Sequence, residues 1–272
     1  AHPDLATANT IFENEGVAVL LGDGAGGFGA ATVYRAGTEQ SHVPQGVLMA
    51  DVTGDGHADI VTANIGTSDL SLLVGDGSGD FAAARSLTAG SGPVMLASGD
   101  VDGDGHVDLV TLNHSGQSVS MLAGTGNGQF APAQTFPIYP ERADFSANPW
   151  PWGLALADVD GDGDQDVDTA NTQNDTVSVL PNGGDGAFPR YFNFGAGARP
   201  SAVAVADIDG DGRADLVTAN RENRDASVLF AGGGAGIADL AVDAAATPGN
   251  VSPGETMTFA AALPNEGPDA AG

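Results

Sequence analysis

Cysteine is absent from this 272-residue chain, so no disulfide braces the fold and cysteine usage carries no sign of redox compartment. Lysine is absent too. The eight basic residues are all Arg, against 36 Asp and Glu, and the formal net charge is −28. A surface this acidic repels a phosphate backbone, which excludes nucleic acid as a partner. No apolar run approaches the roughly 20 residues that cross a bilayer as a helix. Nothing has the length or the 3.6-residue period of an amphipathic helix. What remains is a chain of short apolar runs separated by Gly, Asn, Asp and Pro.

Among those separators one acidic loop occurs four times: Asp51-Val-Thr-Gly-Asp-Gly-His-Ala-Asp59, Asp100-Val-Asp-Gly-Asp-Gly-His-Val-Asp108, Asp158-Val-Asp-Gly-Asp-Gly-Asp-Gln-Asp166 and Asp207-Ile-Asp-Gly-Asp-Gly-Arg-Ala-Asp215. Oxygen-bearing side chains fall at positions 1, 3, 5 and 9. These are Asp51, Thr53, Asp55 and Asp59; Asp100, Asp102, Asp104 and Asp108; Asp158, Asp160, Asp162 and Asp166; Asp207, Asp209, Asp211 and Asp215. A hard cation takes six to eight oxygens at about 2.4 Å, and alternate residues of a tight turn can supply them. Glycine at position 6 permits the sharp turn. One Asp/Gly-rich turn alone is an ordinary surface turn; four copies with the same carboxylate spacing argue for a cation. An EF-hand is excluded, because position 12 is Thr62, Thr111, Thr169 or Thr218 inside an apolar run rather than a bidentate Glu. A calcium β-roll is excluded because the loops do not recur every nine residues.

The first Asp of each loop falls at 51, 100, 158 and 207, intervals of 49, 58 and 49. Such a period marks one supersecondary unit per repeat. Pro44, Pro93, Pro151 and Pro200 each stand seven residues before a loop. Runs such as Val47-Leu-Met-Ala50, Ile60-Val-Thr-Ala-Asn64 and Leu70-Ser-Leu-Leu-Val74 then follow in order, with a glycine-rich turn and usually a Phe (Phe28, Phe81, Phe130, Phe188). These lengths and compositions predict strands. Four strands in about 50 residues make one propeller blade, so the predicted fold is all-β, an array of four-stranded β-propeller blades. The glycine-rich turns precede strands rather than helices, so they read as hairpin turns and not phosphate cradles.

The pattern D-x-[DT]-G-D-G-x-x-D-[ILV]-V-T-x-N, followed by a glycine-rich turn and Phe, resembles the FG-GAP/VCBS repeat, the calcium-bearing blade of integrin-α-type β-propellers, across about residues 1–236. The resemblance implies Ca²⁺ at four loops, bound by side chains 1, 3, 5 and 9 and by the backbone carbonyl of residue 7. Those carbonyls belong to His57, His106, Asp164 and Arg213, and the two imidazoles then point away from the ion. It also implies a family closure of seven blades, of which this chain holds about four to five. Thr53 replaces a carboxylate, so the first site is expected to be the weakest. Asp168 stands where the other copies have Val61, Val110 and Val217. A buried carboxylate is costly unless paired or metal-bound, so either Asp168 helps a cation or that strand is locally irregular, and the second is the expectation.

His2-Pro-Asp-Leu-Ala-Thr-Ala-Asn9 aligns with His57-Ala-Asp-Ile-Val-Thr-Ala-Asn64, so the chain is expected to start inside a fifth loop, with Asp4 as its last ligand. The last blade is expected to lack its fourth strand. From Ile237 the composition changes. Ala238-Asp-Leu-Ala-Val242 and Pro253-Gly-Glu-Thr-Met-Thr-Phe259 resemble the opening of a DUF11-type, immunoglobulin-like module, here too short for a complete sandwich. The expected domains are therefore blades over 1–236 and an incomplete β-sandwich module over 237–272.

Sixteen of the 36 acidic residues lie in the four loops, so calcium would relieve self-repulsion as well as hold the turns. Extracellular calcium modules bind with Kd of roughly 10⁻⁴–10⁻³ M. At about 1 mM calcium, a site with a Kd near 0.1 mM would stabilise the fold by roughly 1.4 kcal/mol. Cytosolic calcium is too low for that, which predicts a secreted or cell-surface location. The long interval contains Phe136-Pro-Ile-Tyr-Pro-Glu-Arg-Ala-Asp-Phe-Ser-Ala-Asn-Pro-Trp-Pro-Trp152, which holds both tryptophans of the chain. Tyr139, Arg142, Trp150 and Trp152 are the candidate ligand-binding residues, since exposed aromatics beside an Arg suit a sugar face or a protein hot spot. The alternative is a hydrophobic plug covering the blade edge. The family resemblance puts this loop on the face opposite the calcium. The expected function is a non-catalytic, calcium-stabilised adhesion or scaffold module with a protein or glycan ligand. The second reading is a carbohydrate-binding propeller, or the non-catalytic part of a larger secreted enzyme.

Overall fold

The computed structural model describes residues 3–10, 16–37, 42–139, 150–231 and 241–246. Among them the regular structure is all strand, arranged in five antiparallel sheets. The first sheet is β1 (Leu5–Asn9), β2 (Gly16–Leu20) and β3 (Thr32–Arg35). The second is β4 (Pro44–Ala50), β5 (Asp59–Asn64), β6 (Asp69–Leu73) and β7 (Arg85–Thr88). The third is β8 (Pro93–Gly99), β9 (Asp108–Asn113), β10 (Ser118–Leu122) and β11 (Gln134–Pro137). The fourth is β12 (Pro151–Ala157), β13 (Asp166–Asn171), β14 (Thr176–Leu180) and β15 (Phe192–Gly195). The fifth is β16 (Pro200–Ala206), β17 (Asp215–Asn220), β18 (Asp225–Phe230) and β19 (Ala241–Ala246). Each sheet is a meander of consecutive strands, as a propeller blade is. The chain divides into two compact units, Ala1–Pro137 and Ile138–Gly272.

Burial follows strand position. In β5, β9 and β13 all six residues are buried, the Asp, Thr and Asn of each strand included. The fourth strands β7, β11 and β15 are mostly exposed. In the first unit Val61, Ala63, Leu70 and Leu72 of the second sheet pack with Leu109 and Leu122 of the third. On the opposite face of β5 and β6, Ile60 and Leu73 pack with Val17 and Val19 of the first sheet. The sheets within a unit thus stack face to face. The second unit has an equivalent cluster of Val159, Val177, Val179, Leu216 and Leu229. A Cβ on Gly46 would come within 2.6 Å of the Val94 carbonyl oxygen, and one on Gly153 within 2.8 Å of the Val203 nitrogen. Glycine there lets neighbouring first strands approach.

Each first strand begins with the same corner. The residue before its proline takes a left-handed conformation: Val43 (φ 46°), Gly92 (64°), Trp150 (45°) and Arg199 (55°). Its carbonyl accepts the N–H of Ile65, His114, Thr172 or Arg221, so all four corners are held alike. A buried asparagine closes this end. Nδ2 of Asn64, Asn113, Asn171 and Asn220 donates to side chains five and seven residues later, as in Asn64 to Asp69 (3.1 Å) and Ser71 (2.8 Å).

The all-β, four-stranded blade architecture agrees with the sequence reading, and two local expectations are corrected. The last sheet does have a fourth strand: β19 pairs antiparallel with β18, from Phe230 opposite Ala241 to Ala226 opposite Ala246. The sheet therefore includes residues 241–246. The pairing supplies backbone partners that the exposed edge of β18 would otherwise lack. The strand around Asp168 is also regular. Asp168 lies opposite Ala155 and Val179, and the register shift in this sheet falls at Pro151/Gly153. Residues 247–272, which hold most of the expected second module, lie outside the described residues.

Candidate metal centres

Each acidic loop joins the first and second strands of a sheet, β4 to β5, β8 to β9, β12 to β13 and β16 to β17. Position 1 organises the turn. Asp51 Oδ1 accepts N–H from Gly54 (2.7 Å) and Asp55 (3.1 Å), and Oδ2 accepts from Gly56 (2.8 Å). Asp100, Asp158 and Asp207 make corresponding bonds. Glycines 4 and 6 have positive φ, 75° and 87° in the first loop, which a Cβ would oppose. Position 5 turns its Oδ1 to the N–H of position 7, at 2.8–3.0 Å for Asp55, Asp104, Asp162 and Asp211.

Position 9 has a role the sequence reading did not see. Asp59, Asp108, Asp166 and Asp215 are completely buried. In each, Oδ2 accepts the N–H of loop position 2, at 2.8–3.0 Å. Oδ1 accepts an N–H sixteen residues on, from Gly75 (3.0 Å), Gly124 (2.7 Å), Asn182 (2.8 Å) or Ala231 (2.8 Å). Asp4 does the same with Gly22 (2.8 Å, eighteen residues on). This carboxylate pins the acidic loop to the end of the third strand.

Positions 1, 3 and 9 converge. One oxygen from each of Asp100, Asp102 and Asp108 lies within 4.8 Å of the others, and the same holds for Asp158, Asp160 and Asp166 and for Asp207, Asp209 and Asp215. These three triads could hold a metal ion. In the first loop, Thr53 Oγ1 instead donates to Asp51 Oδ1 (3.4 Å). Position 5 stands outside the triads. Side chains at position 7 lie over the glycine-rich turn: a Cβ on Gly77 would meet His57 Nδ1 at 2.3 Å, one on Gly126 would meet His106 Cε1 at 3.2 Å, and one on Gly184 would meet Asp164 Oδ2 at 2.7 Å. Arg213 instead pairs with Asp211 (4.0 Å). In the second unit the third and fourth loops line one cleft of about 260 Å³.

Electrostatics match this geometry. Burial pushes Asp166 up to about 7, with Asp160 and Asp162 adding repulsion against its backbone hydrogen bonds. Burial also raises Asp108, and raises Asp160 together with the nearby Asp162. A divalent cation removes that mutual repulsion and holds the carboxylates ionised. Asp168 is different. Neither of its oxygens has a hydrogen-bond partner, and burial, then the charge of Asp166, drive it well above the ordinary carboxylate value. It stands outside the Asp158 triad.

Of the candidate ligand residues, Trp150 is 48% exposed and Trp152 37%, while Tyr139 is half-buried. Arg142 lies outside the described residues.

The model of the FG-GAP-like repeat matches residues 51–111, 100–168 and 163–218, and that of the FG-GAP repeat matches 199–238. The chain belongs to the FG-GAP-like repeat family. No curated protein matches it. Among solved structures, the FG-GAP chain is similar to an Agrocybe aegerita lectin described as recognising non-reducing terminal N-acetylglucosamine: 23% identity, TM-score 0.52, covering 88% of this chain and 65% of that one. It is also similar to a streptogramin B lyase (15%, TM-score 0.53, covering 80% and 60%) and to virginiamycin B lyase from Staphylococcus aureus (12%, TM-score 0.52, covering 78% and 59%). At these identities the likeness concerns the fold alone. The chain spans less than two thirds of the length of each.

Proposed function

We propose that this FG-GAP chain is a non-catalytic, calcium-stabilised extracellular module for adhesion or scaffolding. The convergence of three carboxylates in each of three loops, one of them fully buried, carries the reading. Hard oxygen donors in a tight turn select Ca²⁺ over softer metals. Asp100, Asp102 and Asp108, the Asp158 set and the Asp207 set would supply the side-chain ligands, with position 5 and the carbonyls of His57, His106, Asp164 and Arg213 completing the shells. The first loop, with Thr53, would form a fourth and weaker site. The loop carboxylates already serve the turn and the ion, which leaves them unsuited to acid–base work. Calcium sites with a Kd of roughly 10⁻⁴–10⁻³ M would fill outside the cell rather than in the cytosol, which supports a secreted or cell-surface location. Recognition of a protein or glycan is assigned to the sheet ends away from the acidic loops, where Trp150 and Trp152 are exposed.

Thermal unfolding with 1 mM calcium and with a chelator tests the calcium reading. Three to four sites, each contributing roughly 1.4 kcal/mol, lower the melting temperature markedly on chelation. An unchanged curve defeats the reading, as does a calorimetric titration that shows no calcium uptake.

A further inference from the structure

We propose that one corner of the second unit, formed by Trp150, Trp152 and the Arg199–Glu222 pair, is a binding site for a neutral saccharide. This rests on the reading that recognition lies at the sheet ends away from the acidic loops.

The corner residue before each first-strand proline is left-handed, a conformation that glycine accepts and that bulky residues adopt only under strain. Gly92 suits it. Val43, Trp150 and Arg199 adopt it against that preference, and Trp150 is 48% exposed. Arg199 occupies the equivalent corner of the next sheet, with its side chain 56% exposed and 3.3 Å from Glu222 Oε2. Val43 holds the same left-handed corner in the first unit, so the turn belongs to the repeat, and what sets the second unit apart is the exposure of the two side chains placed there.

The two corners are tied together. The Thr172 N–H donates to the Trp150 carbonyl (3.2 Å), while its Oγ1 donates to the Pro200 carbonyl (2.7 Å). The Arg199 N–H donates to Asp175 Oδ1 (2.7 Å). Close approach of β12 and β16 at Gly153 sets them side by side. The backbone under the patch is thus held by hydrogen bonds and the site is built before any ligand arrives.

The chemistry selects the occupant. An indole face stacks on the C–H face of a pyranose, and a guanidinium–carboxylate pair offers donors and acceptors to vicinal hydroxyls. The turns at this end of the second unit are Thr172-Gln-Asn-Asp175 and Arg221-Glu-Asn-Arg224, rich in amide, carboxylate and guanidinium groups. The same turns of the first unit, Ile65-Gly-Thr-Ser68 and His114-Ser-Gly-Gln117, carry far fewer. A protein hot spot wants an apolar surround that seals out water, and this one is polar. The charge balance of the pair and the −28 of the whole chain disfavour an acidic glycan.

The test is a glycan array of neutral and anionic glycans probed with the calcium-loaded full chain, followed by titration of the best neutral hit against indole fluorescence. Trp150→Gly, which relieves the backbone, and Arg199→Ala are expected to weaken binding at least tenfold with calcium uptake unchanged and the melting temperature not lowered. Absence of any neutral glycan among the hits overturns the saccharide inference and leaves the assignment of this end standing. A neutral glycan bound equally well by both variants overturns both, since the site then lies elsewhere.

Discussion

The sheets β4–β7 and β12–β15 are two copies of one repeat, and they differ at the positions that matter most. Thr53 corresponds to Asp160 in the loop, Val61 to Asp168 in the second strand, and Val43 to Trp150 at the corner. The backbone frame is nevertheless the same: Asp59 to Gly75 matches Asp166 to Asn182, and Val43 to Ile65 matches Trp150 to Thr172. The frame is specified by a few buried carboxylate and amide groups, so the remaining positions can drift. One copy kept an apolar interior, and the other took on an orphan carboxylate and an exposed indole.

The strongest way to break the comparison is to make the first copy resemble the second. Val61→Asp puts an unpaired carboxyl among Leu70, Leu72 and Leu109. It is expected to cost about 3–5 kcal/mol in urea unfolding. A cost below about 1 kcal/mol would show that water reaches this layer. Removing a position-9 carboxylate comes next. Asp59→Ala strands the buried N–H groups of Val52 and Gly75. About 2–3 kcal/mol should be lost even in chelator, whereas Asp55→Ala should matter only when calcium is present. Equal losses for the two variants in chelator would contradict the pinning role. The reverse exchange, Asp168→Val, should stabilise the chain by about 2 kcal/mol, with Asp168→Asn gaining less because it stays polar.

Smaller effects sharpen the picture of the loops. Thr53→Asp gives the first loop the missing third carboxylate and should raise its calcium affinity about tenfold, near 1.4 kcal/mol. No change in a calorimetric titration would mean that position 3 does not bind the ion. The smallest effect concerns Asp69, which stands where β14 has Thr176. Burial alone would raise its carboxyl, but hydrogen bonds from Ser86, Thr67 and Asn64, and His42 nearby, hold it below the ordinary value of 3.8. A lowered carboxyl stabilises the fold above its unfolded value and loses that contribution as pH falls through the folded one. Acid unfolding below about pH 4 should therefore be shallower for Asp69→Thr than for the parent chain.

Much of this was legible in the amino-acid order because the repeat reports on itself. The proline-to-loop distance set the strand register, and the glycines at loop positions 4 and 6 announced positive φ. Asp168 was flagged by comparison with Val61, Val110 and Val217, but the flag misled. A carboxylic acid can occupy a regular strand when neighbouring hydrogen bonds hold the backbone, as the unbroken pairing with Ala155 and Val179 shows. The double use of position 9 was hidden because an Asp that ligates a metal and one that accepts backbone N–H groups look alike in a motif.

Local chemistry by itself determined the strands, their order, the acidic turns and the oxygens inside them, since each depends on residues a few positions apart. Tertiary packing decided the rest. Ala241-Val-Asp-Ala-Ala-Ala246 has little strand character of its own, and it is a strand because β18 offers an unpaired edge. Asp108, Asp166 and Asp215 converge with their loop partners only because each is buried and pinned to an N–H sixteen residues on. The corner that joins Trp150 to Pro200 exists because Thr172 reaches between two sheets, a distance that no motif in the chain encodes.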